Sequence, residues 1–408
     1  MNKENQKLSA RWMYLVIGVI SMLFAGVLYA WSILKYPLTI EFGWEPSELA
    51  FNFTLAMTFF CVGGLLGAQL SRRTSHRIAL IVSGVLVAAG FILTSLLNNV
   101  SVVALYITYG VLAGLGIGIA YNVVIATINS WFPDKKGLCS GFLMMGFGAS
   151  ALILGNAADA MFRSDIGWRA TYAILGIAIF VVLLFAAILI KSPGPDIIFP
   201  QPKTVKDKKD KDIKQQDFTS RQMLCSLSFW MVFICISFLA AVGSSVISFA
   251  KDMALSVNAS ETLAVSLVGV LSVCNGIGRI LTGAIFDVIG CRKTMLGANI
   301  FTICATAVTL LAVSACSLPL CIVGLCLTGM SYGACPTITA ASTSSFFGMK
   351  NFSGNMAIMT FTVMAGSLIA TASNKVMEIT GGYTATFMML LSITVVALVI
   401  NIFISKSK

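Results

Sequence analysis

Apolar runs of about 20 residues, the length needed to cross a bilayer as a helix, alternate along this chain with short polar or glycine-rich turns. The pattern predicts twelve spans, at residues 12–34, 48–70, 78–97, 102–128, 138–160, 170–190, 224–250, 262–286, 294–314, 318–341, 352–374 and 384–404. Between Ile78 and Pro133 there is no charged residue. A stretch that long holds two spanning helices and has no counterpart in a soluble core. The predicted fold class is therefore an all-α membrane protein.

The polar segments add orientation. The chain starts MNKENQKLSARWMYLVIGVI and passes from basic to apolar without a small-residue cleavage site, so the first span is expected to be retained. With the loops assigned to alternate sides, twenty-one Lys and Arg residues fall on the side of the N-terminus and five on the other, while the acidic residues divide eight and eight. This is a positive-inside bias, which predicts a plasma-membrane (cell inner membrane) protein with both termini in the cytoplasm. The net charge of +11 is spread over short loops rather than gathered in a patch, so nucleic acid is not expected as a partner. Only 11% of residues are charged and 58% are hydrophobic, consistent with a lipid environment. The eleven cysteines include no paired CxxC spacing and fall mostly inside predicted spans, which suits apolar packing rather than a metal site or a disulfide framework.

The longest hydrophilic segment, Lys191 to Arg221, is rich in proline and mixed charge and is expected to be a mobile cytoplasmic tether. It divides the chain into an N-terminal six-helix bundle (1–190), a linker (191–222) and a C-terminal six-helix bundle (223–408). The halves resemble each other. GWRATYAIL from Gly167 aligns with GYTATFMML from Gly382, and the same offset of 215 places Trp131 and Phe132 on Phe346 and Phe347. Gly67 and Gly283 differ by 216. Six spans per half is an even number, so the repeats are parallel and a central cavity between two rocking bundles is expected.

One loop has recognisable chemistry. GAIFDVIGCRK, Gly283 to Lys293, has the form G-x-x-x-D-x-x-G-x-[RK]-[RK], in which Gly290 supplies the turn and Asp287 can cap the next helix and face cations such as Arg292 and Lys293. It resembles the loop signature of the major facilitator superfamily. The first-half copy, GAQLSRRTSHR, has Ser71 for the Asp and Thr74 for the second Gly, so it lacks the acidic member of a symmetrical charge gate. GVLYAWSILKYP (Gly26 to Pro37), YNVVIATINSWFPDKKGLCSG (Tyr121 to Gly141) and the N-x-x-x-R of Asn275 and Arg279 together resemble the oxalate/formate antiporter family and its relatives, the monocarboxylate transporters. That resemblance covers essentially the whole chain.

Arg279 stands out without the resemblance. It lies about eight residues, or roughly 12 Å, from the end of its span, near the middle of a hydrocarbon layer about 30 Å thick. A cation there costs roughly 3 to above 10 kcal/mol. The acids Asp159, Asp252, Glu261 and Glu378 lie toward the outer side, and Asp134 and Asp287 toward the inner side, so none is available at that depth. Either Arg279 snorkels or bonds to backbone carbonyls, or its counter-ion is the substrate. A guanidinium fork matches a carboxylate in bidentate fashion.

Asn275, one turn earlier, shares its face and either orients the arginine, donates to a substrate or joins helices. Tyr121, after the small-residue run GLGIGIAY, and Tyr29, Trp31 and Tyr332 are candidate cavity aromatics. The resemblance adds weight to Tyr121 and Tyr332. In the monocarboxylate transporters the position of Asn275 is typically a titratable aspartate, which weakens the case for proton coupling by that route. In the oxalate/formate antiporters a second cation, a lysine, is implied at the position of Met359. With methionine there, a dianion would meet one fixed charge, which favours a small monocarboxylate whose apolar body rests on Leu28 and Met359.

The expected function is secondary active transport of small monocarboxylates of the lactate, pyruvate or formate kind, by anion exchange or proton symport. The protein is expected to work as a monomer without a cofactor. The alternatives are an oxalate/formate-type antiporter, an anion-binding membrane sensor and a drug exporter. Enzyme activity is not expected, because the one histidine, His76, lies in a loop and no nucleophile and base or metal cluster is visible.

Overall fold

The computed structural model describes residues 3–98, 101–132, 136–193, 217–348 and 351–404. The described residues are helical almost throughout. Among the described residues, eleven helices are long and apolar enough to cross a membrane: α1 (Arg11–Phe42), α2 (Pro46–Arg73), α3 (His76–Ser95), α4 (Val102–Trp131), α5 (Gly141–Phe162), α6 (Gly167–Leu189), α7 (Leu227–Ser256), α8 (Glu261–Phe286), α9 (Cys291–Ser314), α10 (Leu318–Phe347) and α12 (Tyr383–Phe403). Between the last two, α11 (Phe361–Thr380) continues a shorter helix, Phe352–Met359, across Thr360. Asn374, Lys375 and Glu378 near its end make α11 less apolar than the others.

Several helices run past the apolar runs that predicted them. α1 continues to Phe42, α7 to Ser256 and α10 to Phe347. Backbone hydrogen bonding does not stop where hydrocarbon stops, so a helix ends where a cap ends it. Gly43 in the left-handed region closes α1, and the side chains of Ser75, Ser226 and Ser260 accept from Ile78, Phe229 and Leu263 to start α3, α7 and α8. Gly290, with φ +78°, makes the turn between α8 and α9 and itself occupies the position that begins α9. The side chain of Asp287 and residues Pro133 to Lys135 of the WFPDKKG loop lie outside the described residues.

The segment expected to be a tether is ordered at both ends, and its middle, 194–216, lies outside the described residues. At its start, the Lys191 carbonyl accepts from the Trp131 indole at 2.6 Å, and His76 Nε2 lies 2.9 Å from the Ile190 carbonyl. At its end, the Phe218 amide donates to the Phe347 carbonyl, and the Asn351 and Asn355 amides both donate to the Phe218 carbonyl, each bond 3.0 Å long. Thr219 then caps a short helix, Ser220–Leu224. The tether reading is therefore corrected for Phe218 to Arg221. Buried backbone groups need partners, and the two asparagines supply them.

Glycines set the helix spacing, and they do so twice. A Cβ on Gly118 of α4 would lie 2.1 Å from the Phe60 carbonyl of α2, and one on Gly333 of α10 would lie 2.0 Å from the Asn275 carbonyl of α8. A Cβ on Gly63 would likewise lie 2.3 Å from the Leu115 carbonyl, and one on Gly278 would lie 2.1 Å from the Met330 carbonyl. Each second-half residue stands 215 positions after its first-half counterpart, so the α2–α4 and α8–α10 pairs are one packing unit built twice. Apolar side chains gain little from burial against lipid, and close backbone approach through small residues takes over as the source of association. Between the halves, α5 packs along α8, α2 along α11 and α1 against α7.

Gly333→Ala should lower the thermal unfolding midpoint in detergent by the equivalent of about 1–3 kcal/mol of overpacking. Gly64→Ala, whose added carbon would meet nothing closer than 3.8 Å, should leave the midpoint unchanged or raise it slightly. Equal effects from the two would refute the packing role.

Candidate anion-binding site

Arg279 of α8 points between the two bundles and is 9% exposed. Its Nε donates to the Asn275 Oδ1 at 3.2 Å, one turn away on the same helix. Its Nη1 donates to the Tyr121 hydroxyl of α4 at 3.4 Å and to the Met144 sulfur of α5, and its Nη2 donates to the Tyr29 hydroxyl of α1 at 3.3 Å. Every one of these partners is neutral. Three come from the other half of the molecule. The guanidinium neither snorkels to a surface nor leans on backbone carbonyls among the described residues.

Local structure explains how the partners arrive. α1 is interrupted by a 3₁₀ turn at Gly26–Ala30, which carries Leu28 and Tyr29. A Cβ on Gly26 would lie 2.1 Å from the Phe147 carbonyl, so glycine is what lets α1 reach α5 there. Phe147 then packs edge-on against Tyr29 and Tyr121, with ring centroids 5.0 and 5.2 Å apart, and Phe60 packs on Tyr121 at 5.0 Å. These contacts hold the two phenols in register with the guanidinium. Asn275 is 1% exposed, and its Nδ2 has no partner among the described residues. Among these residues the site thus contains an unused buried donor beside a cation with no anionic partner.

The predicted residues are not all gathered at Arg279. Tyr332 joins through its ring, 6.3 Å from that of Tyr29, and is held against Gly243 of α7. Trp31 turns away, donating to the Leu49 carbonyl at 3.0 Å and packing on Tyr109. Leu28 is fully buried in the core. Met359 is also fully buried, at the end of the Phe352–Met359 helix, next to Thr360, whose carbonyl accepts from Cys61 of α2 at 3.7 Å. Its helix packs chiefly on α10, so it is not brought to Arg279.

The methionine that reaches the cation is Met144, which the sequence reading missed. A signal for it existed, because Met144 and Met359 are 215 positions apart. Under the same offset the counterpart of Arg279 is Gly64, so the scaffold repeats and the charge does not. Arg292 and Lys293 are exposed, and Arg292 donates to the Ile402 carbonyl at 3.3 Å, within its own half.

The face opposite the N-terminus is closed by ion pairs between the halves. Lys35 of α1 meets Asp252 of α7 at 2.6 Å, and Lys251 meets Asp159 of α5 at 3.4 Å. Asp159 also binds Arg163 at 2.8 Å, and Arg163 reaches Glu261 at 2.7 Å. Lys375 of α11 meets Glu45 at 3.3 Å. Lys251 is fully buried, with its Nζ 3.6 Å from the centre of the Tyr36 ring. Charges that read as loop residues along the chain become a lattice once the bundles meet.

This architecture, two like bundles locked together at one face, is that of polytopic membrane transporters that move solute between their halves. The chain belongs to the major facilitator superfamily: the profile described as Major Facilitator Superfamily matches residues 15–371, with a second match over 233–407. It is 25% identical over 369 residues to the "Uncharacterized MFS-type transporter YhjX" of Escherichia coli K12, spanning 88% of this chain and 86% of that one. It is 30% identical over 294 residues to the "Oxalate:formate antiporter" of Oxalobacter formigenes, spanning 71% and 66%. The human "Monocarboxylate transporter 12" is 25% identical over 345 residues, spanning 79% and 66%. Among solved structures, a bacterial homologue of the lysosomal transporter Spinster, described as inward-facing, superposes with a TM-score of 0.72 at 15% identity over 96% of each chain. A D-xylose–proton symporter superposes with a TM-score of 0.70 at 16% identity over 97% of this chain and 98% of that one. The family and its relatives are transporters, not enzymes.

Removing one member of a buried ion pair costs about 3–5 kcal/mol, whereas replacing both can be neutral. Asp159→Asn should therefore destabilise the protein in thermal unfolding. The pair Asp159→Asn with Lys251→Met should recover most of the loss. A double variant no better than the single one would show that the two groups are not coupled.

Proposed function

We propose that the protein is a carrier of small monocarboxylate anions, with Arg279 as the anchor of the carboxylate. The observation that carries this reading is a guanidinium buried between the bundles whose partners among the described residues are all neutral. A carboxylate placed against its Nη edge would neutralise it and make two charge-assisted hydrogen bonds. Asn275 holds Nε and so fixes the plane of the fork, while its free Nδ2 is available to the anion. Tyr29, Tyr121 and Tyr332 line the cavity and donate to it.

A single cation favours a monoanion, since the second carboxylate of a dianion would stay unpaired in a low-dielectric site. The names of the relatives, which include an oxalate:formate antiporter and a monocarboxylate transporter, support small carboxylates as the class.

In this reading the halves 1–190 and 223–408, joined by 191–222, rock about the site. The Lys/Arg bias puts both termini in the cytoplasm, so the ion-paired face is the outer one and closes this conformation to the outside. Asp287, Arg292 and Lys293 belong to the inner mouth. An empty site carries a bare positive charge through the occluded state, and a loaded one is neutral, so the loaded carrier crosses more readily. That favours exchange of one anion for another.

In proteoliposomes, lactate, pyruvate or formate should exchange, and oxalate should not. Arg279→Lys should reduce transport by roughly 100-fold, about the loss of a charge-assisted hydrogen-bond pair. Transport of oxalate alone, or full activity in Arg279→Lys, would sink the proposal. A trapped pH dye reports the coupling: no proton should enter with the anion, and a stoichiometric proton flux would replace exchange by symport.

A further inference from the structure

We infer that the Met144 thioether is the resident partner of Arg279 in the unloaded carrier and gives way to the substrate's carboxylate on loading, so that it sets how tightly the site holds an anion. The inference rests on the reading of Arg279 as the anion anchor. Two donors converge on the Met144 sulfur: Arg279 Nη1, and the Tyr121 hydroxyl at 3.3 Å. Tyr121 and Arg279 are themselves 3.4 Å apart. The sulfur therefore occupies the corner between a guanidinium edge and a phenol, where a carboxylate oxygen would accept from both.

A thioether is among the weakest acceptors a side chain offers, whereas hydrogen bonds from a guanidinium to a carboxylate are about twice as strong as neutral ones. A weak acceptor at that corner keeps the cation's edge out of bare hydrocarbon without competing seriously with an anion. Methionine also has the freedom to leave. Its chain is unbranched with three rotatable bonds, Met144 is only partly buried, and α5 loosens into a π-helical stretch at Ala151–Gly155 just beyond it.

The repeat supplies a comparison within the molecule. Met359 stands at the equivalent place in the second half, and the counterpart of Arg279 in the first half is Gly64. The same residue in the same scaffold position faces a cation in only one of the two copies. Packing alone accounts for Met359, while Met144 in addition spans the interface to a charge.

The test varies the acceptor at nearly constant volume. Leucine removes it and glutamine strengthens it. Binding of pyruvate, lactate, formate and acetate to the purified full chain would be measured by thermal shift and by competition, alongside wild type, Arg279→Lys and the neighbouring control Met145→Leu. Met144→Leu should bind the anion about 5-fold more tightly and Met144→Gln about 5-fold more weakly, each the factor that one neutral hydrogen bond is worth. Met145→Leu should match wild type.

The order Leu, Met, Gln in rising Kd is the signature, because a purely structural role for Met144 would weaken binding in both variants. Equal affinities, or weaker binding in Met144→Leu, would overturn the inference while leaving Arg279 as anchor. If none of the four anions binds in an Arg279-dependent way, the proposed function falls and this inference falls with it.

Discussion

A guanidinium cannot be left in a low-dielectric interior without hydrogen-bond partners, and among the described residues no carboxylate pairs with Arg279. The surroundings of Arg279 follow from that constraint. Its fixed fork of donors needs acceptors, and it makes four bonds, to an asparagine one turn away, two phenols and a thioether. All are neutral, so the charge is solvated but not cancelled. Partners drawn from α1, α4 and α5 tie it to the opposite bundle, which makes the site sensitive to any motion of one half against the other. A neutralising anion would act on that same interface. The proposed link between binding and reorientation therefore needs no device beyond the charge itself.

The scaffold is symmetric and the chemistry is not. Gly118 and Gly333, and Gly63 and Gly278, bring their helices together through identical contacts in the two halves. A backbone carbonyl at that distance excludes any side chain, so these positions stay glycine for steric reasons alone. The residues facing the cavity carry no such restriction. There Gly64 corresponds to Arg279, and Tyr29 to Ser244. Symmetry is kept where backbones touch and lost where a ligand would sit.

α5 connects the two functional regions. Met144 touches the buried cation and Asp159 anchors the ion pairs at the far face, about 22 Å along a regular helix, with the Ala151–Gly155 π-helical turn between them. Asp159 is held by Arg163 of its own chain segment and by Lys251 of the other half. In the proposed rocking motion, opening of this face would leave Asp159 its first partner and remove the second, and Lys251, buried against Tyr36, would exchange a carboxylate and a ring for water.

What the sequence by itself determined is what depends on composition over one helix length. Apolar runs had to become spans, the offset of 215 had to become two like bundles, and an arginine eight residues from a span end had to sit deep, with no acid on its own or neighbouring spans at that level. Solvation and backbone hydrogen bonding decide such things locally, and they are legible in one dimension. Only the tertiary structure decided which side chains meet. Met144 rather than Met359 touches Arg279, Trp31 turns into its own bundle, Asn351 and Asn355 hold Phe218, and Lys35, Lys251 and Arg163 pair across the interface. Each of these depends on the rotation and stagger of one helix against another. Those are set by glycine contacts and aromatic packing summed over many residues, and no single stretch of the chain encodes them.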